Sequence, residues 1–182
     1  NDNPYSFILN DRPLSVLSRP GAKECCLELN SLSKAHNMAG WRIGMVAAER
    51  DVISEILKVK SQMDSGMFKP LQLAAVQALS RGPEWFARLN EEYRRRRVLA
   101  GEIFDLVGAE YDPESTGMFL WGKVNGKGVD VSDRLLYEAG VFITPGFIFG
   151  KNGENHIRIS LCAKPEVLKV AAERIAAALA VG

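Results

Sequence analysis

A long amphipathic segment in the middle of the chain limits the folds that are open to it. Apolar side chains recur at helical spacing from Pro83 to about Val107, which predicts one long helix with a broad apolar face. Strand and helix patterns precede this segment, and a strand-rich pattern follows it. We therefore expect one domain over residues 1–93 and a second over residues 94–182. The charge run Arg94–Arg97 on this helix is expected to be a solvated surface.

The other periodic segments predict a mixed α/β protein. Turn-forming residues over 10–22 predict a loop, and residues 5–9 fit either a short strand or a tight segment. Strands are predicted at 23–30, 42–48, 117–124, 141–146 and 156–163, and helices at 50–62, 70–80, 131–140 and from Pro165 onward. The strand at 42–48 is short and continuously apolar, which favours a buried sheet.

Charge and cysteine content exclude several classes of protein. The net charge is +1, so no electrostatic footprint points to nucleic acid or to an anionic membrane. No apolar run reaches the length of a membrane span. The three cysteines are odd in number and lack metal-ligand spacing, and Cys25 and Cys26 would point to opposite faces of a strand. We expect no disulfide framework, no metal site and a reducing, cytoplasmic setting.

The segment "SLSKAHNMAGWRIG", residues 31–44, carries the candidate chemistry. A lysine amine is protonated at neutral pH, and proteins overcome this by burial or by forming an imine with a carbonyl cofactor. Taken alone, Lys34 fits an ordinary surface lysine. Its neighbours favour a phosphate-bearing ligand, because Ser31 and Ser33 offer hydroxyl donors and Arg42 offers a two-pronged fork for phosphate.

The spacing of Ser31, Lys34, Arg42 and Gly44 resembles the cofactor lysine segment of the class I/II aminotransferases, which are pyridoxal-phosphate enzymes of fold type I. This resemblance implies that Lys34 binds pyridoxal 5'-phosphate covalently and is the catalytic residue. It also implies that Ser31, Ser33 and Arg42 hold the phosphate.

Two further segments extend the resemblance. Asp2-Asn3-Pro4-Tyr5 matches the family pattern D-x-x-Y, which implies that Asp2 pairs with the pyridine nitrogen and Tyr5 with the phenolic oxygen of the cofactor. "HIRISL" resembles the segment whose arginine binds the substrate carboxylate, a role that falls to Arg158, and "TGMF" places Phe119 near the substrate. Without the family, Asp2 fits a disordered terminal acid, Tyr5 a packing residue, and Arg158 the solvent face of an edge strand.

The resemblance implies a part of a larger enzyme. The chain has no initial methionine and matches a C-terminal half, so we expect a partial large domain of the pyridoxal-phosphate transferase fold followed by a small α+β domain. The expected reaction moves an amino group between an amino acid and a 2-oxo acid, with little activity in this chain alone. The expected assembly is a homodimer, or association with the missing N-terminal half.

Two alternatives stay open at this point. The first is a pyridoxal-phosphate lyase that cleaves a C–S bond or eliminates a β-substituent, because fold and motif do not decide the reaction type. The second is a non-catalytic aminotransferase-like module.

Overall fold

The computed structural model describes residues 1–181, with side chains through residue 180. The chain divides into two compact units, Asn1–Leu89 and a second unit that begins at Asn90. Each unit has its own antiparallel sheet and its own buried residues. Among the described residues, no helix is long and apolar enough to cross a bilayer.

The first unit contains a two-stranded sheet followed by helices. Strand β1 (Glu28–Ser31) pairs with strand β2 (Gly44–Ala47), and the helices are α1 (Ala22–Cys25), α2 (Arg50–Met63), α3 (Lys69–Leu79) and the start of α4 (Pro83–Leu106). Glu49 begins α2 by accepting a hydrogen bond from the Asp51 N–H at 2.7 Å. Pro70 fits the first turn of α3, where a backbone N–H has no partner within the helix.

The second unit contains a four-stranded sheet in the order β3-β4-β6-β5. Its strands are β3 (Glu110–Tyr111), β4 (Phe119–Lys123), β5 (Thr144–Pro145) and β6 (His156–Ser160). Its helices are the rest of α4, α5 (Gly128–Arg134) and α6 (Pro165–Val181). Phe104, Leu120, Ile157 and Ile175 are fully buried and form the centre of this unit. Because side chains alternate along a strand, the buried Ile157 and Ile159 leave Arg158 on the other face of β6.

The structure confirms the helices predicted at 50–62, 70–80, 83–107 and from Pro165. The segment 5–9 forms a tight turn, in which the Ile8 N–H donates to the Tyr5 carbonyl oxygen at 2.8 Å. The helix predicted at 131–140 begins earlier, at Gly128, and its last turn widens to a π-helix over Leu135–Ala139.

The strand prediction for 23–30 is wrong in its first half. Gly21 adopts a positive φ of 74° and starts the short helix α1, which the Cys26 N–H closes on the Ala22 carbonyl oxygen. Cys25 and Cys26 therefore do not point to opposite faces of a strand, since their sulfur atoms lie 3.8 Å apart. The expectation that the strand at 42–48 is buried is also wrong within this chain, because all four residues of β2 are exposed and β1 is its only partner strand among the described residues.

The expectation for Arg94–Arg97 holds for only half of the run. Arg94 and Arg95 are exposed, whereas Arg96 and Arg97 are half-buried. Arg96 pairs with Glu92 at 2.8 Å and donates to the Leu161 carbonyl oxygen at 3.2 Å. Periodicity shows which face of a helix is apolar. It does not show which charged side chains donate to carbonyl oxygens that are distant in the sequence.

Candidate active site

The loop that carries Lys34 is closed by the pairing of β1 with β2. Ser31 at the end of β1 lies opposite Gly44 at the start of β2, so residues 32–43 leave and re-enter the sheet at one point. A Cβ atom on Gly44 would lie 2.7 Å from the Asn30 carbonyl oxygen, closer than such atoms normally approach. This close approach explains the glycine at that place in the motif.

The interior of the loop is apolar. Leu32, Met38 and Ile43 are buried together with Ala75 of α3. The Met38 N–H donates to the Leu32 carbonyl oxygen at 3.2 Å, and the Asn37 N–H donates to the Lys34 carbonyl oxygen at 3.1 Å. These contacts hold the backbone on both sides of Lys34.

Aromatic side chains from the start of α4 anchor the same loop. The Trp85 indole N–H donates to the Ala35 carbonyl oxygen at 2.9 Å. The Phe86 and His36 rings pack edge to face with centroids 5.5 Å apart, and Phe86 also stacks on Phe7 with centroids 5.0 Å apart. The sequence predicted Trp85 and Phe86 only as part of an apolar helix face, and no signal in the sequence indicated that they hold the lysine loop.

His36 lies two residues after Lys34 and is half-buried. Its Nδ1 atom is buried and has no hydrogen-bond partner among the described residues. Desolvation by burial lowers the pKa of the imidazole from its ordinary value, because the charged form is disfavoured there. The neutral form of His36 is therefore favoured next to the candidate lysine.

Lys34 is half-buried and lies near Tyr5. Its Nζ atom is 5.8 Å from the centroid of the Tyr5 ring. Asp2 forms a parallel bridge with Leu29, and the Leu29 N–H donates to the Asn1 carbonyl oxygen at 2.8 Å. The first residues of the chain thus run beside β1 and place the D-x-x-Y segment next to the strand that leads to Lys34.

The three predicted phosphate ligands differ in their surroundings. The Ser31 hydroxyl donates to the Ser33 hydroxyl oxygen at 2.8 Å, so the structure brings these two side chains together. Arg42 is exposed, adopts a positive φ of 52°, and donates from Nη1 to the carbonyl oxygen of Ala39 in its own turn at 3.1 Å. Arg42 also lines a groove of about 620 Å³ together with Lys60 and Ser61.

In the second unit, Arg158 occupies the middle of an internal strand. It lies opposite Trp121 on β4 and opposite Thr144 on β5, so it does not lie on an edge strand. The guanidinium carbon is 4.2 Å from the centroid of the Phe119 ring and 4.1 Å from that of Phe149. The structure therefore brings together the two residues predicted for the substrate, Arg158 and Phe119. The contact between Phe149 and Arg158 could not be predicted from the sequence.

No group of three or more histidine, cysteine or acidic side chains among residues 1–181 is placed to hold a metal ion. The cysteines Cys25, Cys26 and Cys162 are free thiols.

Comparison with known proteins identifies a family over most of the chain. The family described as aminotransferase class I and II matches residues 9–175, a range that contains Lys34 and Arg158 and begins after Asp2 and Tyr5. Among curated proteins, the LL-diaminopimelate aminotransferase of Natranaerobius thermophilus is 43% identical over 180 residues, covering 96% of this chain and 46% of the relative. The enzyme of the same name from Aquifex aeolicus is 39% identical over 179 residues, with 96% and 46% covered. The chain spans about half the length of the curated relatives that it matches.

Solved structures give the same result. The aromatic aminotransferase from Pyrococcus horikoshii OT3 matches with a TM-score of 0.88 and 30% identity, over 99% of this chain and 50% of that protein. An aminotransferase from Staphylococcus aureus matches with a TM-score of 0.84 and 27% identity, over 97% of this chain and 48% of that protein.

Proposed function

Since this chain belongs to the class I and II aminotransferase family, we propose that it is the lysine-bearing part of an enzyme that moves an amino group between an amino acid and a 2-oxo acid. The observation that carries the proposal is the loop around Lys34. Its ends are paired as Ser31 with Gly44, its interior is buried, and its lysine lies near Tyr5. The relatives described above are aminotransferases, and neither the lyase nor the non-catalytic alternative gains support from them.

The residues of the first unit fit pyridoxal 5'-phosphate, on which enzymes of this family depend. A phosphate ester needs hydrogen-bond donors, and Ser33 accepts from Ser31 while keeping its own hydroxyl proton to donate. Lys34 supplies an amine beside Tyr5, with its Nζ atom 5.8 Å from the centroid of the ring. When bound, the cofactor supplies an electron sink for the electron pair left at the substrate Cα.

Each proposed residue has a separate task. Lys34 would hold the cofactor until the substrate amine displaces it, and the freed Lys34 amine would then move the substrate α-proton, first as a general base and then as a general acid. Ser31, Ser33 and Arg42 would hold the phosphate, Asp2 would pair with the pyridine nitrogen, and Tyr5 would donate a hydrogen bond to the phenolic oxygen.

A residue that binds the substrate carboxylate is proposed in the second unit. Arg158 binds the α-carboxylate through paired N–H donors, and Phe119 lies beside it. The shared name of the curated relatives makes LL-diaminopimelate the first amino donor to test.

The setting and assembly are further parts of this proposal. The three free thiols support a reducing, cytoplasmic setting. The exposed apolar side chains of β2 and α2, including Met45, Leu57 and Val59, support association with a second copy or with further polypeptide.

The test is to locate the lysine that pyridoxal phosphate modifies. The chain is mixed with a low concentration of the cofactor and reduced with borohydride, and the labelled peptide is identified by mass spectrometry. We expect label at Lys34, loss of label in Lys34→Ala, and no change in Lys58→Ala, because Lys58 is an exposed lysine paired with Glu55 on α2. Label spread evenly over surface lysines would refute the assignment of Lys34.

A further inference from the structure

Two aromatic rings contact the same guanidinium group in the second unit. The guanidinium carbon Cζ of Arg158 lies 4.2 Å from the centroid of the Phe119 ring and 4.1 Å from that of the Phe149 ring. Both distances are well inside the limit of about 6 Å for a cation–π interaction. The N–H donors of a guanidinium lie in its plane, so contacts with ring faces leave in-plane donors available for a carboxylate.

The sheet register explains one of the two rings. Phe119 on β4 lies opposite Ser160, and Trp121 lies opposite Arg158. Phe119 is therefore a diagonal neighbour of Arg158 across the β4–β6 pair, at a separation that long side chains can bridge. This contact follows from the strands themselves.

The second ring comes from a loop that is fixed in place. Residues 146–153 form two 3-10 turns between β5 and β6, and Phe149 ends the first of them. Cβ atoms on Gly146 and Gly153 would lie 2.4 and 2.1 Å from each other's carbonyl oxygens, and 2.8 and 3.2 Å from Trp121 Cη2. The two glycines thus allow the loop to pack on itself and on the indole ring.

Trp121 connects this loop to Arg158's strand. It stacks on His156 of β6 with ring centroids 5.0 Å apart, and its ring meets Phe149 edge to face at 5.8 Å. The position of Phe149 is therefore determined by Trp121 and by the glycine pair, and not by the sheet register.

We propose that Phe149 and Phe119 are positioning residues that hold the Arg158 guanidinium in one orientation for an incoming carboxylate. The carboxylate part of this inference rests on the proposed function. Without either ring, the long arginine side chain samples more rotamers, and ordering it upon binding lowers the affinity.

The experiment follows the Arg158 Nε–Hε signal by NMR in the isotope-labelled chain, with Arg158→Lys used to assign it. In the unaltered chain we expect an upfield shift of Hε from the two ring faces, and a response of this signal to added propionate. Phe149→Leu and Phe119→Leu should each remove part of the upfield shift and weaken propionate binding by about two- to five-fold, the size of an exposed cation–π contact. Phe149→Tyr, which keeps an aromatic ring, should retain both the upfield shift and the propionate affinity.

Phe147 provides the matched control. It is a phenylalanine of the same loop, and 50% of its surface is exposed, against 49% for Phe149. The rings found over the Arg158 guanidinium are those of Phe119 and Phe149, and not that of Phe147. Phe147→Leu should leave the Hε shift and the propionate affinity unchanged. Equal losses in Phe147→Leu and Phe149→Leu, or unchanged values in Phe149→Leu, would overturn the proposal.

Borohydride labelling of Lys34 separates this inference from the proposed function. Phe149→Leu should still be labelled at Lys34, which supports a local effect on Arg158. If Lys34 is not labelled even in the unaltered chain while the Arg158 shift responds as expected, the positioning of Arg158 stands and the assignment of Lys34 fails. Unchanged propionate affinity in Arg158→Gln, followed by the backbone amide signals of β6, would refute the carboxylate role of Arg158.

Discussion

The hydrogen bond from Trp85 to the lysine loop can be removed while an aromatic ring is kept at that position. In Trp85→Phe the ring stays apolar, but the Ala35 carbonyl oxygen loses the indole N–H that lies 2.9 Å away. Ala35 is only 2% exposed, so an unpaired acceptor there is costly, at about 1–3 kcal/mol. Because Trp85 itself is half-buried and water can partly replace it, we expect a loss near the lower end, about 1–2 kcal/mol.

Urea unfolding measures this loss, and hydrogen exchange locates it. The amides of Asn37 and Met38, which donate within the loop, should exchange about 5–30 times faster, the factor that corresponds to 1–2 kcal/mol. Trp41→Phe is the control, because Trp41 lies in the same loop with 47% of its surface exposed and should change stability by less than about 0.5 kcal/mol. Equal stability of Trp85→Phe and the unaltered chain, with unchanged exchange at these two amides, would show that the indole does not hold the loop.

Two further predictions concern the same loop. Gly44→Ala should destabilise the chain by about 1–3 kcal/mol in thermal or urea unfolding, because the new methyl group meets the Asn30 carbonyl oxygen, whereas Gly40→Ala, with no atom within 4 Å of its added carbon, should cost far less. For His36, burial lowers the folded-state pKa below the unfolded value of about 6.5, so the unfolded chain binds the proton first as pH falls. The stability contributed by neutral His36 is therefore complete above about pH 6.5 and is lost as pH falls through the lower folded pKa. In His36→Gln, the unfolding free energy should depend less on pH over this range. An unchanged slope in His36→Gln would contradict the burial argument.

The helices and the chemistry-bearing motif could be predicted from the sequence because their signals are local. Apolar periodicity and a proline at the start identify α3, α4 and α6 within a few residues. The spacing of Ser31, Lys34 and Gly44 is equally local, since it is set by one loop between two paired strands. Because this spacing is local, the motif indicates the family without any knowledge of the fold.

Two predictions from the sequence were wrong, the strand at 23–30 and the burial of the strand at 42–48. In the first, the conformation of one residue overrides the local pattern, and in the second, burial depends on elements that the local pattern does not include. Alternation over 23–30 predicted a strand, but Gly21 turns the chain into α1 before β1 begins. An apolar run predicted a buried strand at β2, but burial depends on what packs against both faces of a strand, which no short segment specifies.

What the sequence by itself determined is the four longer helices, α2, α3, α4 and α6, and the identity of the candidate lysine and arginine, because both depend on residue types at short, regular spacing. Only the tertiary structure showed that Trp85 bonds to Ala35, fifty positions away, and that Phe149 reaches Arg158 from a loop packed on Trp121. Contacts of this kind depend on how separate elements pack in space, and the spacing of residues along the chain does not specify that packing.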